Sequence, residues 1–390
     1  MDLTAVLRHA VAAGASDVHF KVGQPPVLRS DGELALSTEF PPLGDADLVA
    51  VLDQVTVAVP RRRQLFDETG DLDLAYSEPG LPRFRVNGFR QRGAISFAFR
   101  VIPDQIEGFA ELHLPAGVAR LAEEQRGLVL VTGATGSGKT TTLAAMLDHI
   151  NRTRRQHIVT IEDPIEVLHP DHGCIVNQRE VGLDTESFEQ ALRRVLRQDP
   201  DVILIGELRD AETAQVALQA AESGHLVFST LHTLDAAETI GRMVEFFAPE
   251  KQPQVISIMA GVLRGVVSQR LLPRLDTGRV PAVEVMVTNA RIAELIRERR
   301  TDEIPDAIAD GEFFQMQTFS KALIDLVLGG HVDRETAANA ASNRHDFEIA
   351  LLKAEKAAIV TAANEAAREP EPVAARPKDD GLPTLRVAGA

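Results

Sequence analysis

The sequence predicts an α/β protein in two parts: a smaller α+β section, then a core whose mostly parallel sheet carries helices on both faces. Three observations predict it. From residue 118 to about 289, helical runs alternate with short apolar runs (LVLVTG, HIVTIED, DVILIGE, HLVFSTLH, RVPAVEVMV), the signature of strand–helix–strand units. The first of these runs leads through the glycine-rich stretch 133–138 directly into a helix-forming segment, TTLAAMLDHI. Upstream, FRVNGFRQRGAISFAFRVI alternates Phe, Val and Arg, the period of a half-exposed antiparallel sheet.

Taken in order, LTAVLRHAVAAGA reads as a helix by its apolar period, and DVHFKV, PVLRSDG and DLDLAYS read as short strands between turns. Arg61-Arg62-Arg63 reads as a solvated helix turn rather than a nucleic-acid patch. These elements and the Phe-rich pair make a section of residues 1–102. Residues 103–117, with Pro and Gly, read as a linker. The core follows over 118–289, then a mostly helical region over 290–356. Residues 357–390 are polar and Pro-rich and are expected to be disordered.

Composition narrows the function. A formal charge of −16 disfavours a polyanion partner, and 16 Phe with one Tyr and no Trp supply no stacking platform for single strands, so no nucleic-acid partner is expected. Cys174 is the only cysteine, which rules out an intrachain disulfide and a Cys-rich zinc cluster. No run of 18 apolar residues and no signal-peptide pattern is present, so the expected location is cytoplasmic, without membrane insertion.

The chemistry gathers at strand ends. Gly133-Ala134-Thr135-Gly136-Ser137-Gly138-Lys139-Thr140 has the spacing of a phosphate-binding loop. Its glycines let consecutive N–H groups converge on a phosphate, and the following helix adds its positive end. Lys139 reaches the outer phosphates, and the Thr140 hydroxyl ligates Mg²⁺. In an open parallel sheet the ligand lies beyond the carboxyl ends of the strands, which brings three further segments to the loop. Thr160-Ile161-Glu162-Asp163-Pro164-Ile165-Glu166 packs three carboxylates after a strand; alone it reads as a solvated acidic turn, and beside the loop one of its acids is a candidate to orient an attacking water. Asp201 through Glu207 is an apolar strand ending in an acid, the partner element that holds Mg²⁺, with Arg209 close behind. His225 through His232 frames a fourth strand, with His232 just past its end, placed to sense the terminal phosphate. No zinc ligand set surrounds either histidine, and a structural role for His225 is equally open.

These four elements resemble the secretion NTPase superfamily and, within it, the type IV pilus retraction ATPase (PilT-like, twitching motility) family. The matching segments are GATGSGKTTT (133–142), TIEDPIE (160–166), NQREVG (177–182), ALRRVLRQDPDVILIGELRD (191–210) and ESGHLVFSTLHT (222–233). ASDVHF (15–20), RFRVNGFRQRGAISFAFRVIP (83–103) and MQTF (316–319) extend the resemblance to roughly residues 1–350. It implies an N-terminal PAS-like α+β domain and a RecA-like P-loop NTPase core. It implies ATP held by Gly133, Ala134, Thr135, Gly136, Ser137, Gly138, Lys139, Thr140 and Thr141, with Thr140 and Glu207 serving Mg²⁺. Glu166 then matches the family's water-activating glutamate, and His225 and His232 its two-histidine motif. Arg85 and Arg100 look like residues that reach a neighbouring subunit's nucleotide, with Arg193, Arg197 and Arg209 as further candidates. The implied assembly is a homohexamer that drives pilus retraction against an inner-membrane platform protein, at the cytoplasmic base of the pilus machine.

The chain departs from the family at two places. Ala134 replaces a common Pro in the loop. Ala290-Arg291-Ile292-Ala293-Glu294-Leu295-Ile296-Arg297-Glu298 keeps only the Leu-Ile-Arg-Glu half of the retraction-linked segment, which leaves an accessory pilus or type II secretion paralogue open. Ile292, Leu295 and Ile296 form one face of a helix, which by pattern is ordinary packing and by resemblance the face that couples ATP turnover to the pilus machinery. The extension and type II secretion ATPases resemble longer chains with a four-cysteine zinc segment, which a single cysteine cannot supply. A hexameric DNA translocase on the same core is the alternative from another class, disfavoured by the acidic charge.

Overall fold

The computed structural model describes residues 1–366 except Asp31, Pro103 and Asp104, and side chains up to residue 360. The elements in chain order are α1 (Leu3–Ala12), β1 (Asp17–Lys21), β2 (Val27–Ser30), β3 (Glu33–Leu36), α2 (Asp45–Thr56), α3 (Pro60–Thr69), β4 (Asp71–Tyr76), β5 (Phe84–Gln91) and β6 (Ala94–Val101). There follow α4 (Ala116–Ala122), β7 (Gly127–Thr132), α5 (Lys139–Thr153), β8 (His157–Glu162), β9 (Ile175–Glu180), α6 (Phe188–Val195), β10 (Val202–Ile205), α7 (Ala211–Glu222), β11 (Leu226–Leu231), α8 (Ala236–Glu245), α9 (Gln252–Val262), β12 (Leu263–Pro273) and β13 (Arg279–Val287). The last are α10 (Ala290–Arg297), α11 (Ile304–Ala309), α12 (Phe319–Leu328), α13 (Arg334–Ala340) and α14 (Arg344–Ala366). Residues 1–342 form one compact unit, and α14 belongs to a second that begins at Asn343.

The N-terminal sheet is antiparallel, in the order β3-β2-β1-β6-β5-β4. Its core explains the lopsided aromatic content. Phe99 meets Phe20, Phe84, Phe97 and Tyr76 edge-on, a geometry set by the ring quadrupoles. Gly88 pairs with Phe97 across β5 and β6, and a Cβ there would fall 2.8 Å from the Phe97 ring. The arginine run lies on α3, begun by Pro60 at its first turn.

The second sheet has the order β13-β12-β7-β11-β10-β8-β9, parallel except for the antiparallel pair β12–β13. Every residue of β7, β10 and β11 is buried, which is why they read as unbroken apolar runs. Helix α5 packs on this sheet through Leu143, Met146, Leu147 and Ile150, spaced three and four apart.

Several elements escaped the sequence pattern. β3 is fully exposed along its length and carries no buried face. β9, Ile-Val-Asn-Gln-Arg-Glu, is an edge strand whose polar residues serve a neighbouring loop. β12 is interrupted by Arg264, Gly265, Ser268, Gln269 and Arg270, which hid its length. Helix α2 falls where only turns were expected, α3 extends the helix turn read at Arg61-Arg62-Arg63 to ten residues, and α4 begins inside the expected linker. At the other end, α14 runs through Ala366, past the expected boundary at 356, and the tail residues 367–390 lie outside the described residues. Its start is capped by Asn343, whose Oδ1 accepts from His345 N and Asp346 N.

The helix at 290–298 corrects one expectation. In α10, Ile292 is 0%, Leu295 4% and Ile296 1% exposed, all within the core cluster of the large sheet. This face is spent on packing and is not available to a partner. Among the described residues no helix is long and apolar enough to cross a membrane.

Candidate active site

The parallel order β7-β11-β10-β8 makes the four chemistry-bearing strands neighbours, so their carboxyl ends lie side by side along one edge. Above them is a cleft of about 800 Å³ lined by the phosphate loop, Glu162, Asp163, Glu166, Glu207, Arg209 and His232. That is the size range of small-molecule sites.

The loop between β7 and α5 holds Gly133, Gly136 and Gly138 at φ of 141°, 79° and 90°, which side chains rarely adopt. A Cβ at Gly133 would sit 2.4 Å from the Gln269 carbonyl and 2.5 Å from Ser137 Oγ. Ala134, Thr135 and Gly136 are exposed at the mouth, and Ser137 Oγ is buried with no partner among the described residues. Lys139 Nζ donates to the carbonyls of Gly133 at 2.7 Å and Ala134 at 3.0 Å. Burial lowers its pKa, offset by the nearby Glu207 and Glu166 carboxylates. Thr140 and Thr141 stand in the first turn of α5, where unpaired N–H groups favour an anion.

The three acids after β8 have separate environments. Glu162 is buried, accepts from Thr160 Oγ1 at 2.6 Å and Gln178 Nε2 at 3.1 Å, and takes the Glu166 N–H as well. Burial raises its pKa despite those bonds. Its oxygens are committed to holding the loop. Glu166 is exposed, lines the cleft and has no hydrogen-bonded side-chain partner among the described residues. Asp163 is likewise exposed at the cleft with no hydrogen-bonded side-chain partner among the described residues, so two of the three carboxylates are free, and the family resemblance singles out Glu166.

After β10, Glu207 accepts from Arg209 Nε at 2.8 Å and lies 3.1 Å from His232 Nε2. The Arg209 guanidinium is stabilised first by that hydrogen bond, against burial, so its pKa is raised. His232, Glu207 and Arg209 thus form one cluster from two adjacent strand ends. His225 is at the opposite end of β11, its Nδ1 within 3.0 Å of the Ala220 carbonyl and 2.9 Å of Ser223 Oγ. It closes the end of α7 and does not enter the cleft.

Of the N-terminal arginines, Arg100 lines the cleft, held by Asp17 through Nε at 2.9 Å with its side chain 71% exposed. Arg85 pairs across β4–β5 with Asp73 at 3.0 Å, which raises its pKa, and it feels Glu166 and Asp163. Arg193 is engaged by Glu189 and Glu212 on exposed helix surface, and neither it nor Arg197 lines the cleft. Sequence reasoning missed Arg279, Ser16 and His169, which do line it. Arg279 opens β13, a position no motif marks. His169 has its pKa lowered to about 4 by burial, so it is a neutral wall residue at physiological pH.

The comparisons agree with this geometry. The family described as type II/IV secretion system protein matches residues 108–341. The type IV pilus retraction ATPase PilT of Pseudomonas aeruginosa is 44% identical over 347 residues, covering 89% of this chain and 100% of that protein. The type IV pilus ATPase PilU of the same organism is 38% identical, covering 90% of this chain and 91% of the relative. A crystal structure of the pilus retraction motor PilT with bound ADP superposes with a TM-score of 0.82 at 43% identity, over 89% of this chain and 99% of that one. A phosphate loop, an acid-ended neighbouring strand and a relative matched along its whole length place this chain in the type II/IV secretion system protein family, among the type IV pilus retraction ATPases.

Proposed function

We propose that this chain hydrolyses ATP at the cleft above β7, β11, β10 and β8 and uses the energy to withdraw a type IV pilus, the basis of twitching motility. The observation that carries the reading is the end-to-end match to a pilus retraction ATPase at 44% identity. The geometry supports the division of labour. The loop from Gly133 to Thr141 cradles the phosphates, with Lys139 supplying charge to the outer ones. The Glu166 carboxylate accepts the proton of the attacking water. His232 and Arg209 hold Glu207 in place from two sides.

The residues present fit magnesium. A hydroxyl (Thr140) and a carboxylate (Glu207) face one cleft, the small hard-oxygen set that Mg²⁺ uses alongside phosphate and water. When bound, the ion would neutralise charge on the phosphate oxygens. The working unit is a homohexamer, in which Arg100 and Arg85 reach the nucleotide of the adjacent subunit, and it docks on an inner-membrane platform protein from the cytoplasm. Residues 1–102 act as one domain, 118–289 as the ATPase core, and the helices from α10 on, described through Ala366, as a helical region.

ATP turnover by the purified chain, with magnesium and with excess EDTA, tests the enzymatic part. Turnover that needs magnesium and disappears in Lys139→Ala, with circular dichroism unchanged, is expected. Equal turnover in Lys139→Ala would contradict the site. An accessory role is the second reading, supported by the 38% identity to PilU over 90% of the chain. A deletion strain that still retracts its pili would favour it.

A further inference from the structure

The loop that carries Glu166 is held by β9, and β9 is tied in turn to the N-terminal sheet. Gln178 and Glu180, two residues apart, share a face of β9. Gln178 Nε2 donates to the Val167 carbonyl at 2.8 Å, and its Oε1 accepts from His169 N at 2.8 Å. Glu180 Oε2 accepts from Ile165 N at 3.2 Å. Glu166 therefore sits between two pinned neighbours, and its own N–H is given to Glu162. The same Glu180 oxygen accepts from Arg83 Nη2 at 2.7 Å, with the two side chains only 5% and 14% exposed.

Arg83 belongs to the other sheet. It immediately precedes β5, and its carbonyl accepts from Ile102 N at 2.8 Å, just past the end of β6. Arg100 is two residues before Ile102 on that hairpin, and Arg85 is two residues after Arg83 and paired with Arg100. A displacement of the β5–β6 hairpin that moves Arg100 moves Arg83 with it. Through one carboxylate, that displacement reaches the backbone next to Glu166. An ion pair serving only as glue between the sheets would have no need of Ile165.

We propose that Glu180, together with Arg83, is a positioning residue for ATP hydrolysis: the pair locks the Glu166 loop to the N-terminal sheet, so that the placement of that sheet sets the placement of the water-activating carboxylate. The inference rests on the reading of Glu166 given above. It assigns a task to the NQREVG segment, which otherwise has none at the nucleotide. Glu180 touches neither phosphate nor water in this scheme and acts through the loop alone.

The test uses the full chain, with turnover and affinity for a fluorescent ATP analogue measured on the same preparations. Arg83→Met lowers kcat by about tenfold or more while affinity stays within about twofold, because misplacing a catalytic group costs rate rather than binding. Arg83→Lys, which keeps the charge, recovers most of the kcat. Because a single neutral partner leaves a lone buried charge, the double variant Arg83→Met with Glu180→Gln is the decisive one. It removes both charges, keeps an acceptor for Ile165 N, and is expected to show the same kcat loss with unchanged affinity. A double variant with kcat within about twofold of the parent overturns the proposal, since a stability effect alone leaves kcat intact. Glu166→Gln is run alongside: if it turns over normally, the reading of Glu166 fails and the proposal with it. If it is dead while the double variant is normal, only the proposal falls.

Discussion

Glu162 and Glu166 lie four residues apart and have opposite circumstances. Glu162 is buried and bonded to Thr160 and Gln178, whereas Glu166 is exposed in the cleft with its oxygens unclaimed. A general base must be able to accept a proton from a mobile water, which excludes Glu162; Asp163 is also exposed in the cleft, and the family resemblance selects Glu166. Glu166→Gln should therefore lower kcat by about 100-fold or more with nucleotide still bound, within the usual range for loss of a general base. Glu162→Gln should retain the larger share of turnover and lose stability instead. Steady-state rates and thermal melts of both variants decide it, and a fully active Glu166→Gln beside a dead Glu162→Gln would reverse the assignment. At this scale the sequence was informative about the loop and about which segments carry acid. The residue pattern alone did not separate the acids, and only the family resemblance singled out Glu166; the physical distinction from Glu162 depends on Gln178, brought in from a strand whose polar residues give no strand signal. Arg279 was invisible for a similar reason: nothing in its neighbourhood marks it until β13 delivers it to the cleft.

Helix α10 shows how a face of correct pattern can have the ordinary purpose. Leu295 is 4% exposed among the core residues of the large sheet. Leu295→Ala should cost about 2–5 kcal/mol in urea unfolding, the range for emptying a packed Leu site. A change under about 0.5 kcal/mol, typical of surface positions, would contradict that packing. The face left for a partner is Arg291, Glu294 and Arg297, all exposed. Glu284 on β13 is the second telling element. It accepts from Ala236 N at the start of α8 and from the Phe319 N–H at the start of α12, so one carboxylate ties two helices to the sheet. Burial pushes its pKa up to about 7, with Asp235 adding to the rise and Arg270 opposing it. A carboxyl raised in the folded state stabilises fully below its unfolded pKa, and that contribution is lost as pH rises through about 7. Melting of Glu284→Gln against the parent at pH 5 and pH 8 reads the effect. The variant should gain on the parent toward pH 8, by roughly 3 kcal/mol at most from a shift of this size. A pH-independent difference would mean that the carboxyl is not buried in this way.

Across the whole molecule, the alternating strands and the glycine loop were legible because both depend on local pattern and burial. What joins the two sheets was not legible. Arg83 and Glu180 are 97 residues apart, and neither belongs to a run that marks a contact. The assembly belongs to this scale too. Arg100 lines the cleft of this same chain, its Nε held by Asp17 and most of the side chain exposed, so a mixture of subunits decides between its own nucleotide and a neighbour's. Mixing Lys139→Ala subunits with Arg100→Ala subunits should restore part of the activity that each lacks, because some interfaces then pair an intact loop with an intact arginine. Activity no greater than the sum of the two preparations would argue against a shared site.

The most direct measurement of the central claim is the retraction of labelled pili on living cells whose only copy of this chain carries Glu166→Gln. The account predicts that such cells assemble pili that stay extended, with retraction events and surface motility lost while the protein is present at its normal level. Pili that retract at the parental frequency would contradict the claim that hydrolysis at this cleft drives retraction, and a complete absence of pili would point to an extension motor instead.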